Sequence, residues 1–331
     1  MRRRFALALS SLALLVGVVA VVLFWRFDTW QDATVASTGG VFLIKPGTSF
    51  GRIARQLEEA GYIDDALYFR IAGRYGERAR KIKAGEYLIP ANPSPNGIFK
   101  LFVTGTVRTY TVRFSEGFTT LQVLQELLTT DFLTPDVELT PSAVRSVLPL
   151  ETPFVEGVFL PETYQVVRGD PVSDVLLRAH AKMLAALEMD WGDGVDHLES
   201  PWELAILASI IEKETGVAEE RAQISQVFHS RLGLGMKLQT DPTVIYALGA
   251  SFDGNIRRAD LRVDSPYNTY RYKGLPPTPI ALPSRASITA AANPAEGTFL
   301  YFVAKGDGTS YFSETLAEHN AAVRRYQLKQ K

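Results

Sequence analysis

The sequence predicts an α+β protein with a single transmembrane helix at its N-terminus. Three observations predict this class. An uncharged run from Phe5 to Trp25 follows three arginines. Helical patterns such as Val172–Leu187 occur together with short strand patterns such as Tyr110–Phe114. Hydrophobic residues make up 46% of the 331 residues and charged residues 21%, so the chain can bury a sizeable core, which excludes disorder over most of its length.

The N-terminal run predicts a membrane anchor. As a helix, residues 5–25 just cross a hydrocarbon core of about 30 Å. The arginines at 2–4 favour the cytoplasmic side, so the sequence predicts a cytoplasmic segment (1–4), an anchor (5–25) and a polar tether (26–40), with the body across the membrane. The alternative is a cleaved signal peptide, whose apolar region is ordinarily shorter, about 7–15 residues. In a Gram-negative bacterium the membrane would be the inner membrane and the body periplasmic.

Composition excludes several kinds of site. The chain has no cysteine, which excludes disulfides, thiolate metal sites and cysteine nucleophiles. Its four histidines are widely spaced, which disfavours a multi-histidine metal centre. The net charge of −1 supplies no basic field for nucleic acid. We therefore expect no metal, no cofactor and no nucleic-acid partner.

Residues 41–108 predict a small α/β module. Val41–Ile44 has a strand pattern, Lys45–Thr48 is a turn, and Ser49–Ala60 has a helical pattern that Gly61 ends. This strand, turn and helix resemble a LysM-like unit. LysM-like modules bind glycans that contain N-acetylglucosamine, so the resemblance implies either glycan binding or a purely positioning role.

Residues 109–331 predict a larger, mixed α+β domain. Helical patterns cover Trp202–Thr215, Ala218–Leu232 and Leu316–Leu328, whereas the proline-rich segment Gly274–Pro283 cannot form a regular element. A hairpin is expected around residues 305–308, between Thr298–Ala304 and Ser310–Phe312.

The helix over Trp202–Thr215 carries two glutamates near its end. Glu214 lies three and four residues beyond Ile211 and Ile210 and continues an apolar stripe, whereas Glu212 lies about 200° away around the helix. The two carboxyls therefore cannot face one cleft. A carboxyl on an apolar stripe loses hydration, which raises its pKa and keeps it protonated near neutral pH, as a general acid requires. The alternative is an ordinary exposed glutamate in the last turn.

Three later segments combine amide, hydroxyl and aromatic side chains: Met236–Tyr246, Tyr267–Tyr270 and Lys273–Pro277. Aromatic rings stack on the apolar faces of sugars, and amides bond to hydroxyl and N-acetyl groups. Each segment alone is also consistent with a turn that has a satisfied polar cap. Together they favour sugar recognition.

Four motifs in fixed order resemble the endolytic murein transglycosylase family, also called YceG-like: Glu212–Thr215, Gln239–Tyr246, Tyr267–Tyr270 and Gly274–Pro277. The resemblance extends over nearly the whole chain, since the N-terminal anchor, the LysM-like module and the segment Glu156–Tyr164 also match.

The resemblance implies a membrane-anchored lytic transglycosylase, with residues 109–331 as its catalytic domain. Such an enzyme cleaves the β-1,4 bond between N-acetylmuramic acid and N-acetylglucosamine within peptidoglycan strands and leaves 1,6-anhydro-muramyl ends. By motif, Glu214 occupies the catalytic position, and no metal or cofactor is required. The substrate-binding residues implied are Glu156, Tyr164, Gln239, Thr240, Asp241, Tyr246, Asn268, Thr269 and Tyr270. The short tether favours nascent strands, whose length the enzyme would limit, with peptidoglycan synthases (penicillin-binding proteins) and the inner membrane as partners.

Two other functions stay open from the residues. A hydrolytic muramidase would need a second carboxylate, which Glu156, Glu162 or Asp241 can supply. A non-catalytic, glycan-binding scaffold of the cell-wall machinery would need no carboxyl at position 214. A cytosolic lyase is disfavoured, because the anchor predicts that the body lies outside the cytosol.

Overall fold

The computed structural model describes residues 2–328, and the burial of side chains at 11, 12, 14–75 and 77–328. Met1, the first residue of the predicted cytoplasmic segment, and residues 329–331, the last of the predicted second domain, lie outside the described residues. The chain divides into two compact units. The first comprises Met1–Tyr110 and Val167–Asp170, and the second comprises Thr111–Val166 and Pro171–Lys331. Both contain helices and short strands, as expected for a mixed α+β protein.

Helix α1 (Arg2–Asp32) begins the first unit. Its part from Leu14 to Asp32 is long and apolar enough to cross a membrane, a property that a signal sequence also has. The predicted tether is helical as far as Asp32, because Phe27 and Trp30 pack on the core of the first unit. There the indole Nε1 of Trp30 donates to Asp64 at 2.6 Å.

The rest of the first unit is a two-stranded sheet covered by helices. Strands β1 and β2 are antiparallel, with Phe42 opposite Tyr87. Gly47 has a φ of +76° in the turn after β1, a conformation that suits glycine. The rings of Phe69 and Phe99 stack at 4.1 Å between centroids and close the core. The elements are β1 (Gly40–Ile44), α2 (Phe50–Glu59), α3 (Ala66–Arg74), a 3-10 helix (Tyr75–Lys81), β2 (Gly85–Ile89) and α4 (Pro95–Thr104).

The second unit is mainly helical. Its elements are β3 (Thr109–Arg113), α5 (Thr120–Leu128), α6 (Pro141–Val147), β4 (Thr163–Val167), α7 (Val172–Trp191), α8 (Pro201–Glu214), α9 (Arg221–Gly233), α10 (Asp241–Leu248), α11 (Arg285–Ala292), β5 (Tyr301–Ala304), β6 (Ser310–Ser313) and α12 (Leu316–Tyr326). Strand β3 pairs with β4, and β5 and β6 form the predicted hairpin, with Phe302 opposite Phe312.

Helix α8 lies at the centre of the second unit. Helices α7, α9, α10 and α11 all contact it, and every residue from Leu204 to Ile211 is buried. The sequence pattern predicts a single apolar stripe on this helix, and that prediction is wrong, because neighbouring helices cover all of its faces. Ser200 caps its start by accepting from the backbone N–H of Glu203 at 3.2 Å, with Pro201 in the first turn.

Three helices of the second unit are absent from the sequence expectations: α6, α10 and α11. Helix α10 begins at Asp241, within the segment Met236–Tyr246, whose residues are by themselves also consistent with a turn. Pro242 lies in its first turn, where a missing N–H costs nothing because that group has no partner within the helix. Helix α9 begins at Arg221, after a short 3-10 turn over Ala218–Glu220, so the predicted helix from Ala218 starts late.

Candidate active site

Glu214 is the last residue of α8. The helix ends there because Thr215 turns the backbone to an extended conformation, and the Thr215 hydroxyl accepts from the N–H of Val217 at 2.9 Å. The end of this buried helix leaves the Glu214 side chain partly buried, at the margin of the core. A carboxyl in this position is shielded from water on the side of the core.

The Thr240 hydroxyl donates a hydrogen bond to the Glu214 carboxyl. Thr240 is itself held by Thr269, whose hydroxyl accepts from the Thr240 N–H at 3.1 Å. The preceding residue, Gln239, has a φ of +50° and donates its N–H to the Thr269 carbonyl at 3.2 Å. A left-handed backbone at a non-glycine residue carries strain and often marks a functional site. The segment that presents Thr240 to Glu214 is therefore firmly fixed.

Burial raises the pKa of Glu214 to about 7. The hydrogen bond from Thr240 opposes this effect by favouring the ionised form, and Arg231 does the same through its charge, whereas the nearby Asp241 raises the pKa further. The net result is a carboxyl that is substantially protonated near neutral pH. A group in this condition can both give and take a proton in one reaction cycle.

Arg231 holds the backbone of the segment that precedes Gln239. It lies on α9 and is buried, and its guanidinium donates to the carbonyls of Leu238 (2.5 Å) and Leu300 (2.7 Å). Sequence reasoning missed this residue. Its signal is the helical spacing after Ile224 and Phe228, which places an arginine on the buried side of α9.

Asp241 and Tyr270 form a second pair beside Glu214. The Tyr270 hydroxyl donates to the Asp241 carboxylate at 2.6 Å, and Lys237 donates to the Tyr270 carbonyl at 3.0 Å. Burial, then the bond to Asp241, raise the pKa of Tyr270, so its hydroxyl keeps its proton. The structure thus gathers Glu214, Thr240, Asp241 and Tyr270 in one place.

Glu212 has different partners from Glu214. Its carboxylate accepts from the Ser284 N–H (3.0 Å) and hydroxyl, and from the Ser287 hydroxyl (2.6 Å). These groups lie at the start of α11, so Glu212 stabilises the N-terminus of that helix. The two glutamates of the motif therefore serve separate parts of the unit, in agreement with the predicted angle between them.

Glu156 and Tyr246 lie in a neighbouring cleft of about 710 Å³. One Glu156 oxygen accepts from the Thr120 N–H at 2.7 Å, and the other accepts from the Tyr246 hydroxyl at 3.0 Å. Burial raises the pKa of Glu156. The cleft also contains Lys213 and Pro242, which are neighbours in sequence of Glu214 and of Asp241, so it adjoins the Glu214 site.

Four predicted substrate-binding residues are buried: Tyr164, Thr240, Asn268 and Thr269. The Asn268 amide donates to the carbonyls of Leu261 (3.1 Å) and Val263 (2.8 Å), and Thr269 holds the Thr240 segment. The Tyr164 hydroxyl donates to the Leu160 carbonyl at 2.5 Å, and its ring packs on that of Phe114 rather than beside Glu214. Gln239, in contrast, is exposed directly before Thr240. Glu162, a candidate second carboxylate, is exposed and paired with Lys182.

Fold and site together define a mixed α+β protein with one partly buried glutamate, Glu214, whose pKa is raised to about 7. A family model described as the YceG-like family matches residues 42–325, and the chain belongs to that family. A crystal structure of a YceG-like protein from Listeria monocytogenes superposes with a TM-score of 0.54 at 30% identity, covering 86% of this chain and 98% of that one.

Two curated relatives are named endolytic murein transglycosylase. The protein from Bacillus subtilis (strain 168) is 39% identical over 173 residues, which are 52% of this chain and 48% of that protein. The protein from Streptococcus pneumoniae serotype 2 (strain D39) is 28% identical over 320 residues, 85% of this chain and 57% of that protein. The chain thus spans about half the length of the curated relatives it matches.

Proposed function

We propose that this chain is a membrane-anchored lytic transglycosylase that cleaves peptidoglycan within its glycan strands. The bond cleaved is the β-1,4 link between N-acetylmuramic acid and N-acetylglucosamine. The observation that carries the proposal is the partly buried Glu214 carboxyl, whose pKa is about 7 and which accepts a hydrogen bond from Thr240. The names of the curated relatives support the choice of substrate.

One carboxyl is enough for this reaction. Glu214 first donates its proton to the glycosidic oxygen, the bond from that oxygen to C1 of the muramyl residue breaks, and the N-acetylglucosamine end leaves as an alcohol. The Glu214 carboxylate then takes the proton of the muramyl C6 hydroxyl as O6 bonds to C1. The product carries a 1,6-anhydro ring, and Glu214 regains its proton. Hydrolytic glycosidases, in contrast, generally use two carboxylates.

The surrounding residues have supporting roles in this proposal. Thr240 orients the Glu214 carboxyl, and Arg231 and Thr269 hold Thr240 in place. The exposed Gln239, with Tyr246 and Glu156 in the adjoining cleft, contacts the sugar or its N-acetyl group. The buried Asn268 and Tyr164 act through the backbone they hold rather than by touching substrate. Asp241 and Tyr270 act as a hydrogen-bonded pair at the edge of the site.

We further propose that α1 anchors the chain in the inner membrane, with its start in the cytoplasm and both units in the periplasm. The last turns of α1 pack on the first unit, which supports a body held close to the bilayer. Such a body would act on nascent strands, limit their length and work beside peptidoglycan synthases. Inserting a long flexible segment after Asp32 should then lower activity in cells, whereas undiminished activity would contradict this part of the proposal.

The first unit is proposed to be a LysM-like module that binds glycan or positions the second unit. The strand, turn and helix of the resemblance are present as β1, the turn at Gly47 and α2. Binding of chitin oligomers by the full chain, measured with and without substitutions in that turn, separates the two roles.

The test of catalysis compares the detergent-solubilised chain with its Glu214→Gln variant on purified peptidoglycan. We expect the wild-type chain to release glycan fragments and the variant to be slower by at least about 100-fold, as loss of a general acid generally causes. Glu219→Gln, at an exposed carboxyl outside the site, is the matched control and should keep full activity. Equal activity of the wild-type chain and Glu214→Gln would contradict the proposal.

A hydrolytic muramidase is the second candidate. Its second carboxylate would be Asp241, which is close enough to Glu214 for its charge to raise the pKa of Glu214. This candidate predicts reducing ends in the products and loss of activity in Asp241→Asn. A non-catalytic scaffold predicts instead that Glu214→Gln fully replaces the wild-type protein in cells.

A further inference from the structure

The cleft beside Glu214 contains a cation, Lys213, that has no anionic partner in the part of the chain that the structure describes. Lys213 directly precedes Glu214 on α8, its side chain is exposed, and its ammonium group donates to the Gly117 carbonyl at 3.3 Å. Within residues 2–328, no carboxylate lies within salt-bridge distance of it. Glu156, the acid among the residues that line the cleft, already accepts from Thr120, Gly157 and Tyr246.

The rest of the cleft is suited to a peptide. Thr119, Gln122 and Gln125 line one side with hydroxyl and amide groups, whereas Leu121 and Ile245 supply apolar surface. The Gln122 carbonyl oxygen accepts from the Thr119 N–H at 2.8 Å, and its NH₂ group makes no hydrogen bond within the described residues. Amide donors, small apolar surfaces and a lysine together match backbone carbonyls, alanine methyl groups and a carboxylate.

The chemistry of peptidoglycan favours a peptide as the group that reaches this cleft. The sugars of the strand are neutral, and its negative charges lie on the carboxylates of the short peptide attached through the lactyl ether at C3 of each muramyl residue. Cleavage occurs at C1 of that same ring, so the peptide of the reacting residue must leave the site within a few bonds of Glu214. Lys213 is the neighbouring residue on the same helix.

We propose that the cleft bounded by Lys213, Gln122 and Leu121 binds the acidic peptide of the muramyl residue being cleaved, with Lys213 pairing with a peptide carboxylate. This inference rests on the proposed function, because it names the part of the peptidoglycan substrate that this cleft would take.

The test measures kcat/KM for the detergent-solubilised full chain on two substrates: peptide-bearing strands, and the same strands stripped of peptide by an amidase. Lys213→Gln should lose about tenfold more on peptide-bearing strands than on stripped strands, which is the usual loss when a hydrogen bond to a charged group is removed. The loss should appear mainly in KM, because pairing with the peptide forms already in the bound substrate. Lys213→Arg should restore most of it, and Lys305→Gln, at a lysine of the β5–β6 turn, is the charge-matched control.

Equal losses on the two substrates, or no loss on either, would overturn the proposal. A loss in kcat alone on both substrates would place Lys213 in the chemistry of Glu214 and would also overturn it. If the wild-type chain cleaves neither substrate, the proposed function itself fails, a result separate from any difference between the substrates.

Discussion

The hydroxyl of Thr240 donates to the carboxyl of Glu214, although the two residues belong to different sequence motifs and lie 26 positions apart in the chain. Glu214 ends α8, and Thr240 immediately precedes α10. The bond thus joins the Glu212–Thr215 motif to the Gln239–Tyr246 motif in one site.

Replacing Thr240 by valine should lower kcat by about 10- to 100-fold, because a hydrogen bond to an ionisable group is lost at constant side-chain shape. The same change should move the alkaline limb of the pH profile to higher pH, since the hydroxyl favours the ionised form of Glu214. Both effects are measured by rates of peptidoglycan cleavage from pH 5 to pH 9. Thr240→Ser should restore the rate. An alkaline limb that does not move in Thr240→Val would contradict the role of the Thr240 hydroxyl in lowering the pKa of Glu214.

The Glu214→Gln variant should be more stable than the wild-type protein at alkaline pH. The folded protein holds the Glu214 proton up to about pH 7, whereas the unfolded chain releases it near the ordinary pKa of 4.5. Between these values the folded state binds more protons, so wild-type stability falls as pH rises through this window. At pH 8 the variant should gain about 1–3 kcal/mol, at about 1.4 kcal/mol per pKa unit with allowance for solvent screening.

Urea denaturation of both proteins at pH 4 and pH 8 measures this difference. The gain should disappear at pH 4, where both states of the wild-type chain are protonated. A constant difference at the two pH values would show that the carboxyl has an ordinary pKa.

Glu212→Ala should affect stability more than chemistry. It removes the acceptor of the Ser284 N–H and of two serine hydroxyls at the start of α11, which should cost about 1–3 kcal/mol. Glu214→Gln should show the opposite pattern, with lost activity and retained stability. Thermal unfolding and cleavage rates of the two variants, measured side by side, distinguish these roles. Loss of activity in well-folded Glu212→Ala to the level of Glu214→Gln would contradict the separation.

Arg231→Met should both destabilise the fold and change the pH profile. The buried carbonyl of Leu238 and the partly buried carbonyl of Leu300 would lose their donor, at a cost of about 2–3 kcal/mol. Without the cation the pKa of Glu214 should rise, which moves the alkaline limb to higher pH. Arg231→Lys keeps the charge and should leave the limb in place. An equal shift of the alkaline limb of the pH profile in both variants would show that the charge of Arg231 does not set the pKa of Glu214.

The sequence predicts most helices and strands of this fold, but it does not predict which elements pack around each of them. The helices α2, α7 and α8 are confirmed, because their apolar spacing and their glycine or serine boundaries are local signals. Helices α10 and α11 were missed, since a proline in a first turn resembles a break and α11 is only eight residues of small side chains.

The site could be predicted only in part for a related reason. Two arguments favoured Glu214 over Glu212: the position of Glu214 in the family motif, and an apolar stripe on the helix. The stripe does not separate the two residues, because every residue of α8 from Leu204 to Ile211 is buried. What separates them is their partners: Thr240 for one, and Ser284 and Ser287 for the other. These partners lie far along the chain, and no local pattern connects them.

The central claim is that Glu214 donates its proton to the substrate and takes one back from the same substrate, without the addition of water. Digestion of peptidoglycan in H₂¹⁸O, with mass analysis of the new glycan ends, tests this claim most directly. The account predicts 1,6-anhydro-muramyl ends that contain no ¹⁸O from the wild-type chain, and no new ends from Glu214→Gln. Reducing ends that carry ¹⁸O would mean hydrolysis with a second carboxylate and would contradict it.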